Sequence, residues 1–269
     1  MAVKLFVSDI DGTLVISGKN VSEKNVAAVK KMVDAGIIVT IATGRMYRTS
    51  LHVAEELQVN VPIITYNGAL IKSVRGEIFH EQCLPPEIVV ELANFFEENN
   101  LYVQSFSEDK LRFPFRSKHS DTYESLMKIS GEAVGWDGLK NFTSHVYKFL
   151  SISDTSEEAD KVIAMLKNKF GEKINVMKSN PTFVEIVCPG VSKAAAVKIL
   201  AEKFSVNISE VMAIGDSEND LPMLLAAGKS IAMGNAIDSV KKSCDFQTGL
   251  CEDDGFAEAV EKFVFEATL

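Results

Sequence analysis

The first 70 residues alternate short apolar segments with segments of helical periodicity, and this alternation restricts the possible folds more than any other feature of the chain. The apolar segments predict three strands, over residues 3–7, 37–42 and 62–66. Because helices separate these strands, consecutive strands are expected to run parallel and to be joined by right-handed crossovers. The N-terminal region therefore predicts a parallel sheet covered by helices.

The two helices between these strands carry terminal signals and apolar faces. Ser22 is placed to cap the first helix, and Gly36 is placed to end it. The predicted apolar faces consist of Val26, Val29, Met32 and Val33 in the first helix and of Val53, Ala54 and Leu57 in the second.

The C-terminal region returns to the same alternation. Helices are predicted over residues 192–204, 219–227 and 256–265, and strands over residues 211–214, 230–233 and near 245–246. Because both ends of the chain share the pattern, we expect residues 1–83 and 189–269 to form one doubly wound α/β domain.

The middle of the chain, residues 84–188, has longer and more polar segments. It predicts strands over residues 101–106, 146–152, 174–177 and 183–187, with helices over 87–98 and 157–170. Pro85-Pro86 and Pro189-Gly190 mark its two ends like hinges. We therefore expect a separate α+β domain inserted into the first.

Charge and hydropathy exclude several classes of function. The formal net charge is −9 and the isoelectric point is near 5.1, which is the wrong sign for a protein that binds nucleic acid through bulk charge. No apolar run reaches the roughly 18 to 20 residues that span a bilayer, so no membrane association is expected. Asp9 and Asp11 come too early for a signal peptide, and the four cysteines lack C-x-x-C spacing, so a reducing cytoplasm is the expected location.

Polar residues follow four of the predicted strands. Asp9 and Asp11 follow the first strand, Thr43 the second, Asn67 the third, and Asp216 the strand near residue 213. Ligands of open parallel sheets bind beyond the carboxyl ends of the strands. We therefore expect these side chains to converge on one site.

The pair Asp9 and Asp11 has a spacing that suits both metal binding and covalent chemistry. Two carboxylates at the end of a strand, followed by Gly12 at a sharp turn, can hold a hard cation such as Mg²⁺. One carboxylate can act as nucleophile and the other as acid and base. The alternative for an isolated D-x-D-G is a solvated turn.

The other polar residues also have structural alternatives. Thr43 could form an ST-turn or cap the next helix, or its hydroxyl and the Gly44 N–H could bind a phosphate oxygen. Ser217 and Asp220 resemble a capping box ahead of an apolar helix. Taken alone, Lys193 would be a solvated lysine at a helix start.

The motifs together resemble those of the haloacid-dehalogenase-like (HAD) phosphohydrolases. Four segments carry the resemblance in the family's order: Asp9-Ile10-Asp11-Gly12-Thr13-Leu14, Thr43 in Ala-Thr-Gly-Arg, Lys193, and Gly215–Asp220 as G-D-x-x-N-D. Further stretches resemble the Cof-type branch (subfamily IIB): Asn67–Ala69, Met233–Ala236 and Asp254–Gly255. The chain departs from that branch at Ala194, where glycine usually follows the lysine.

The resemblance implies a doubly wound, Rossmann-like α/β core with an inserted α+β cap. It also implies a Mg²⁺-dependent phosphatase that acts on a small phosphorylated metabolite, such as a sugar phosphate. Asp9 would attack phosphorus to form an aspartyl-phosphate, and Asp11 would protonate the leaving oxygen and then activate water.

The resemblance also assigns the remaining site residues. The metal residues would be Asp9, Asp11 through its backbone carbonyl, Asp216, and Asp220, which together with Asn219 orients the metal shell and the lysine. The phosphate-binding residues would be Thr43, Gly44, Asn67, Lys193 and Asn219.

A basic cluster stands out within the predicted cap. Lys110, Arg112, Arg116 and Lys118 are interleaved with aromatic residues. Arg112 and Arg116 are candidate substrate-binding residues, although most runs of this kind are solvated surfaces.

Two other functions remain open from the sequence. A phosphotransferase of the phosphomannomutase type would share the covalent chemistry, and a receiver-like module would use a phosphorylated aspartate as a switch. The expected partner is a small phosphorylated metabolite, and the chain is expected to be a monomer or a weak homodimer.

Overall fold

The computed structural model describes residues 3–16, 19–59 and 61–266. The chain divides into two compact units. The first unit comprises Met1–His80 with Ser192–Leu269, and the second unit comprises Glu81–Val191. The segment predicted as an insertion, residues 84–188, falls within the second unit.

The strands and helices alternate along most of the chain. The strands are β1 (Leu5–Ser8), β2 (Ile38–Ile41), β3 (Ile63–Thr65), β4 (Leu70–Lys72), β5 (Ile78–Glu81), β6 (Gln104–Ser107), β7 (Lys110–Phe113), β8 (Glu132–Ala133), β9 (Val146–Ile152), β10 (Asn175–Asn180), β11 (Phe183–Val187), β12 (Val211–Gly215), β13 (Lys229–Ala232) and β14 (Phe246–Gln247). The α-helices are α1 (Glu23–Asp34), α2 (Tyr47–Glu56), α3 (Pro86–Glu98), α4 (Lys118–Met127), α5 (Gly135–Asn141), α6 (Ser156–Phe170), α7 (Lys193–Lys203), α8 (Leu221–Ala226), α9 (Asp238–Ser243) and α10 (Gly255–Ala259). Single 3₁₀ turns lie at Gly171–Lys173, Ile208–Glu210 and Cys251–Asp253, and a π-helical segment, Val260–Phe265, follows α10.

The first unit is built on a five-stranded sheet in the order β14-β13-β12-β1-β2. The paired strands of this sheet run parallel throughout, as predicted. Strand β1 lies at the junction of the two chain ends: Leu5 is opposite Val211 of β12 on one side and Ile38 of β2 on the other. The loops that follow β1, β2 and β12 therefore leave the sheet side by side.

The third predicted strand departs from the predicted sheet. Strand β3 pairs antiparallel with β4 and belongs to a three-stranded sheet, β3-β4-β5. A single parallel bridge, Ala42 with Ile64, links it to the main sheet. The turn at Tyr66–Gly68 folds the chain straight back, so β4 pairs with β3 next to it in sequence.

Helix α1 confirms its predicted ends but not its predicted face. Ser22 accepts a hydrogen bond from the Asn25 N–H, and Gly36 has φ +83°, which glycine adopts readily. However, Val33 is 43% exposed, and the Asn25 side chain is buried instead. The Asn25 amide bonds to the backbone of two other segments, so polar contacts turn the buried face toward Asn25.

The second unit is a six-stranded sheet in the order β10-β11-β9-β6-β7-β8, packed against helices. Strands β9 and β11 have the bounds predicted from sequence. Four elements between residues 108 and 142 were not predicted: β7, α4, β8 and α5. Each is short and carries charged or polar residues, so its periodicity is weak. The apolar core includes Leu92, Phe96, Phe149, Leu166 and Ile186.

Two absences hold within the described part of the chain. No helix there is both long enough and apolar enough to cross a bilayer. None of the four cysteines there forms a disulfide.

Candidate active site

Most of the predicted site residues meet at the carboxyl ends of β1, β2 and β12, within the first unit. Asp9 directly follows β1, Thr43 follows β2, and Asp216 follows β12. The sheet register brings the ends of these strands together, because Ser8 is opposite both Ile41 and Ile214. The topology thus explains how side chains far apart in sequence share one site.

Lys193 lies at the centre of this site. It is the first residue of α7, which Ser192 caps by accepting a hydrogen bond from the Ala195 N–H. The Lys193 side chain is 1% exposed, and its Nζ lies 2.6 Å from Asp9 Oδ1 and 2.5 Å from Asp220 Oδ1. Burial alone would lower the pKa of Lys193, but Asp220 and Asp9 raise it above its usual value, so the ammonium stays charged.

Three carboxylates, Asp9, Asp216 and Asp220, form what we call the acidic cluster. Each offers an oxygen within 4.8 Å of the others. Burial, followed by the charge of Asp220, raises the pKa of Asp9 well above its usual value and that of Asp216 to about 7. The acidic cluster therefore carries more negative charge than Lys193 neutralises.

The hydrogen bonds of Asp220 fix its carboxylate. Besides the Lys193 contact on Oδ1, Asp220 Oδ2 accepts from the backbone N–H groups of Asp216 and Ser217, at 3.1 and 3.0 Å, and from the Ser217 hydroxyl at 3.0 Å. The Ser217 N–H contact is half of a capping box, but α8 begins only at Leu221 and Asp220 makes no side-chain cap. The predicted capping box is thus incomplete, and Asp220 holds Lys193.

Gly12 and Thr13 explain why the first motif has these residue types. The Thr13 hydroxyl donates to Asp216 Oδ1 at 2.8 Å. Gly12 has φ +81°, and a Cβ at this position would lie 2.6 Å from Asp216 Oδ2. The turn that carries Asp9 and Asp11 thus packs directly against the carboxylate of Asp216.

Arg45 is a site residue to which sequence reasoning gave no role. Its guanidinium donates two hydrogen bonds to the Asp11 carboxylate, from Nε to Oδ2 at 2.7 Å and from Nη2 to Oδ1 at 2.6 Å. The arginine follows Thr43 and Gly44 in the Ala-Thr-Gly-Arg motif, so its place in that motif was the available signal. The bidentate pair fixes the orientation of the Asp11 carboxylate.

Asn67 reaches the site from an unusual turn. Tyr66, Asn67 and Gly68 have φ values of 52°, 58° and 106°, and backbone strain of this kind is often found at functional sites. The Asn67 N–H donates to the Thr43 carbonyl at 2.9 Å, which anchors the turn to the end of β2. Asn67 Oδ1 accepts from Asn219 Nδ2 at 3.0 Å. Asn67 Nδ2 is buried and has no hydrogen-bond partner among the described residues.

Thr43 and Gly44 lie beside Asn67. The Thr43 hydroxyl accepts a hydrogen bond from the Arg45 N–H at 3.1 Å, and helix α2 starts two residues further on. This bond, from the N–H two residues further on, is that of an ST-turn, so the ST-turn alternative is confirmed for Thr43 and the capping alternative is wrong. A Cβ on Gly44 would lie 3.0 Å from Asn67 Oδ1, so this glycine permits a close approach.

Arg112 and Arg116 do not share the first unit with these residues, because both belong to the second unit. Arg112 is 3% exposed and bonds to Glu132 and to the Ser107 hydroxyl. Arg116 is 56% exposed and pairs with Glu124 at 2.7 Å. Both arginines therefore have structural partners, and their role in substrate binding stays a prediction.

The comparison with known proteins decides the family. Residues 6–260 match the family of haloacid dehalogenase-like hydrolases. The chain belongs to the haloacid dehalogenase-like hydrolase family. Its predicted membership of this family is thus confirmed.

Curated relatives and solved structures of HAD hydrolases agree along nearly the whole chain. YcsE of Bacillus subtilis, named a 5-amino-6-(5-phospho-D-ribitylamino)uracil phosphatase, is 31% identical over 97% of this chain and 96% of its own. A haloacid dehalogenase-like hydrolase from Bacteroides thetaiotaomicron is 33% identical, covers 97% of this chain and 99% of its own, and has a TM-score of 0.86. A sugar phosphatase of HAD subclass IIB, 24% identical, shares the fold with a TM-score of 0.85 over 97% of this chain and 99% of its own.

Proposed function

We propose that this HAD hydrolase is a Mg²⁺-dependent phosphatase that hydrolyses a small phosphorylated metabolite through an aspartyl-phosphate on Asp9. The observation that carries the proposal is the buried contact between Asp9 and Lys193 within the acidic cluster. The lysine fixes the orientation of the Asp9 carboxylate through its contact with Oδ1. Relatives named as phosphatases support the same class of reaction.

The acidic cluster fits Mg²⁺ by its donors and its charge. All its ligand atoms are carboxylate oxygens, which are the donors that this hard cation prefers. Its three carboxylates face one ammonium, and the raised pKa of Asp9 reflects burial together with that excess of negative charge. Asp9 and Asp216 would hold the ion, because both oxygens of Asp220 already accept hydrogen bonds. A bound Mg²⁺ supplies positive charge between the Asp9 carboxylate and the substrate phosphate.

In the proposed reaction, an oxygen of Asp9 attacks phosphorus, and the bond from phosphorus to the leaving oxygen breaks. Lys193 keeps the attacking carboxylate in place and adds positive charge beside the transferred group. Asn67 Nδ2 supplies a buried donor for a phosphoryl oxygen, which would end its lack of a partner. A Cβ on Gly44 would lie 3.4 Å from this donor, so the start of the Thr43-Gly44 loop passes close to it, and Asn219 orients Asn67.

Asp11 is the proposed acid and base. It gives a proton to the leaving oxygen and takes one from the water that later attacks the aspartyl-phosphate. Arg45 bonds to both oxygens of Asp11, and because each oxygen has a second lone pair, the arginine fixes the direction from which Asp11 exchanges a proton. Arg45 is therefore proposed as a positioning residue for Asp11.

The proposed substrate class is taken from the names of the relatives and not from the geometry of the first-unit site. YcsE carries the name of a 5-amino-6-(5-phospho-D-ribitylamino)uracil phosphatase, and its match spans 97% of this chain. We therefore propose 5-amino-6-(5-phospho-D-ribitylamino)uracil as the first compound to test. Sugar phosphates form the second group.

The test combines a substrate panel with a trapping experiment. The purified chain is assayed with Mg²⁺ on the ribitylamino-uracil phosphate, sugar phosphates and p-nitrophenyl phosphate, and again after chelation by EDTA. The variant Asp11→Asn, in which water attacks the intermediate slowly, is then mixed with a ³²P-labelled substrate, and the reaction is quenched in acid. We expect acid-stable label on the protein that hydroxylamine removes, as an acyl phosphate requires.

A matched pair of variants controls this test. Asp9→Asn should abolish turnover and labelling, because an amide is nearly the same shape but a very poor nucleophile. Asp34→Asn makes the same change at the exposed end of α1 and should behave as wild type. Hydrolysis by Asp9→Asn at the wild-type rate would exclude the covalent mechanism, and full activity in EDTA would exclude the metal. Transfer of label to an added sugar in place of water would favour the phosphotransferase.

A further inference from the structure

Three side chains with different donor atoms meet within the second unit. Glu81 ends β5, Cys83 follows two residues later, and His145 directly precedes β9. Each offers one ligand atom, and these atoms all lie within 4.8 Å of one another. We call these three residues the thiol cluster.

The backbone holds the thiol cluster in place. The Leu84 N–H donates to the Val146 carbonyl at 2.8 Å, so the segment next to Cys83 is bonded to the segment next to His145. His145 itself has φ +49°, a left-handed conformation that is uncommon for residues other than glycine. The cluster is therefore formed by two strand ends that the fold already joins.

Hydrogen bonds orient two of the three side chains. His145 Nδ1 lies 3.0 Å from Glu81 Oε1, and the Tyr147 hydroxyl donates to the same oxygen at 2.6 Å. An imidazole and a carboxylate oriented in this way resemble the supported ligands of metal sites, where a hydrogen-bonding neighbour fixes each ligand.

The donor set distinguishes the thiol cluster from the acidic cluster. A sulfur, an imidazole nitrogen and a carboxylate oxygen suit Zn²⁺, whereas Mg²⁺ prefers oxygen alone. A metal binds the thiolate form of cysteine, so coordination through Cys83 would release the proton of its thiol.

We propose that Glu81, Cys83 and His145 form a binding site for a thiophilic divalent cation of the Zn²⁺ class. Three protein ligands leave the fourth tetrahedral position to water. The site is independent of the proposed phosphatase chemistry, because none of its residues belongs to the first-unit site. Its effect on the protein would be to tie the start of the second unit to strand β9.

The experiment uses Co²⁺ as a spectroscopic probe on the full chain, reduced and stripped of metal, with excess Mg²⁺ present to occupy hard-oxygen sites. We expect one equivalent of Co²⁺ to give the visible bands of tetrahedral cobalt and a thiolate-to-cobalt charge-transfer band in the near ultraviolet. One equivalent of Zn²⁺ should remove both. Proton release on Zn²⁺ binding should be measurable in weakly buffered solution.

Variants compare Cys83 with the two thiols of the first unit, Cys244 and Cys251. Cys83→Ser should lose the charge-transfer band, and His145→Asn should weaken Co²⁺ binding at least tenfold. Cys251→Ser and Cys244→Ser should keep the wild-type spectrum. Cys251 is the informative control because burial, followed by the charge of Asp216, raises the pKa of its thiol to about 11, so this thiol lies near the acidic cluster. Circular dichroism checks that each variant is folded.

Protection of the wild-type thiol gives a second measurement that needs no variant. Zn²⁺ should slow alkylation of Cys83, read by mass spectrometry, and leave the rate at Cys244 unchanged. A wild-type spectrum without the charge-transfer band, a band that survives in Cys83→Ser, or equal alkylation with and without Zn²⁺ would each overturn the proposal.

Discussion

Replacing Lys193 by methionine would remove the ammonium between Asp9 and Asp220 and keep a side chain of similar length. The lysine is 1% exposed and contacts both carboxylates within 2.6 Å, so solvent does not screen the interaction. Removing one partner of a buried ion pair costs about 3 to 5 kcal/mol, because the other charge stays buried without compensation. We expect the first unit of Lys193→Met to lose stability by that amount.

This loss of stability can be measured as a shift in melting temperature, and two changes should partly reverse it. A change of 1 kcal/mol shifts the melting temperature by roughly 2 to 4 °C in chains of 150 to 250 residues, so we expect a decrease of about 6 to 20 °C. The double variant Lys193→Met/Asp220→Asn removes one of the two stranded charges and should recover part of the loss. Added Mg²⁺ should recover part of it as well, since it supplies positive charge to the acidic cluster.

Two optical signals show which unit responds. Far-ultraviolet circular dichroism reports both units, whereas fluorescence of Trp136, the single tryptophan, reports the second unit. The melting temperature of Lys193→Met followed by dichroism should be lower than that of wild type, and turnover of all substrates should fall by a similar factor. A loss of stability smaller than about 1 kcal/mol in Lys193→Met, with no recovery in the double variant, would refute the assignment of Lys193 as the buried counter-ion.

Further predictions concern a turn, a surface carboxylate and a buried arginine. Gly12→Ala should abolish activity, because the new Cβ would collide with Asp216, whereas Gly36→Ala has a similar φ of +83° but open space and should lower stability by about 1 kcal/mol with activity intact. A serine hydroxyl and a lysine ammonium lower the pKa of Asp254, so its stabilising effect is present above the unfolded value of 3.8 and is lost as the pH falls through the folded pKa. The difference in melting temperature between wild type and Asp254→Asn should therefore shrink on acidification from pH 6 to pH 3. Arg112→Ala should lower the stability of the second unit by about 2 kcal/mol in urea unfolding followed by tryptophan fluorescence, and a change in substrate ranking at unchanged stability would show a binding role instead.

Long regular elements could be predicted from the sequence, and short charged ones could not. Strand β9 is seven residues long and apolar at most positions, so its bounds follow directly from its pattern. Strands β7 and β8 have four and two residues and carry lysine, arginine and glutamate, which leaves no period to detect. Their positions are set by pairing with β6 and with each other, which is tertiary information.

The candidate site shows a similar division. Residues placed by strand ends, such as Asp9 and Asp216, could be predicted because topology alone brings them together. The partner of Asp11 could not be predicted, since Arg45 is 34 residues away and could equally have faced solvent. The inward direction of Asn67 depends on three successive positive φ values; Asn-Gly favours two of them, but no sequence signal predicts the positive φ of Tyr66.

The carboxylates at the proposed site differ in how their negative charge is balanced. Asp11 is half-exposed and receives a full bidentate arginine, so its charge is balanced locally. Asp9 and Asp220 share one lysine, and among the residues that the structure describes the Thr13 hydroxyl is the one side-chain donor to Asp216. When all three carboxylates are ionised, they and the one ammonium leave two negative charges, which is the charge that one divalent cation neutralises; without the cation, burial and mutual repulsion raise the pKa of Asp9 and Asp216 instead. Folding the first unit without that cation therefore buries electrostatic repulsion, and binding the cation relieves it. The same excess of negative charge that lowers the stability of the metal-free chain is thus what would give a divalent metal its affinity for this sheet edge.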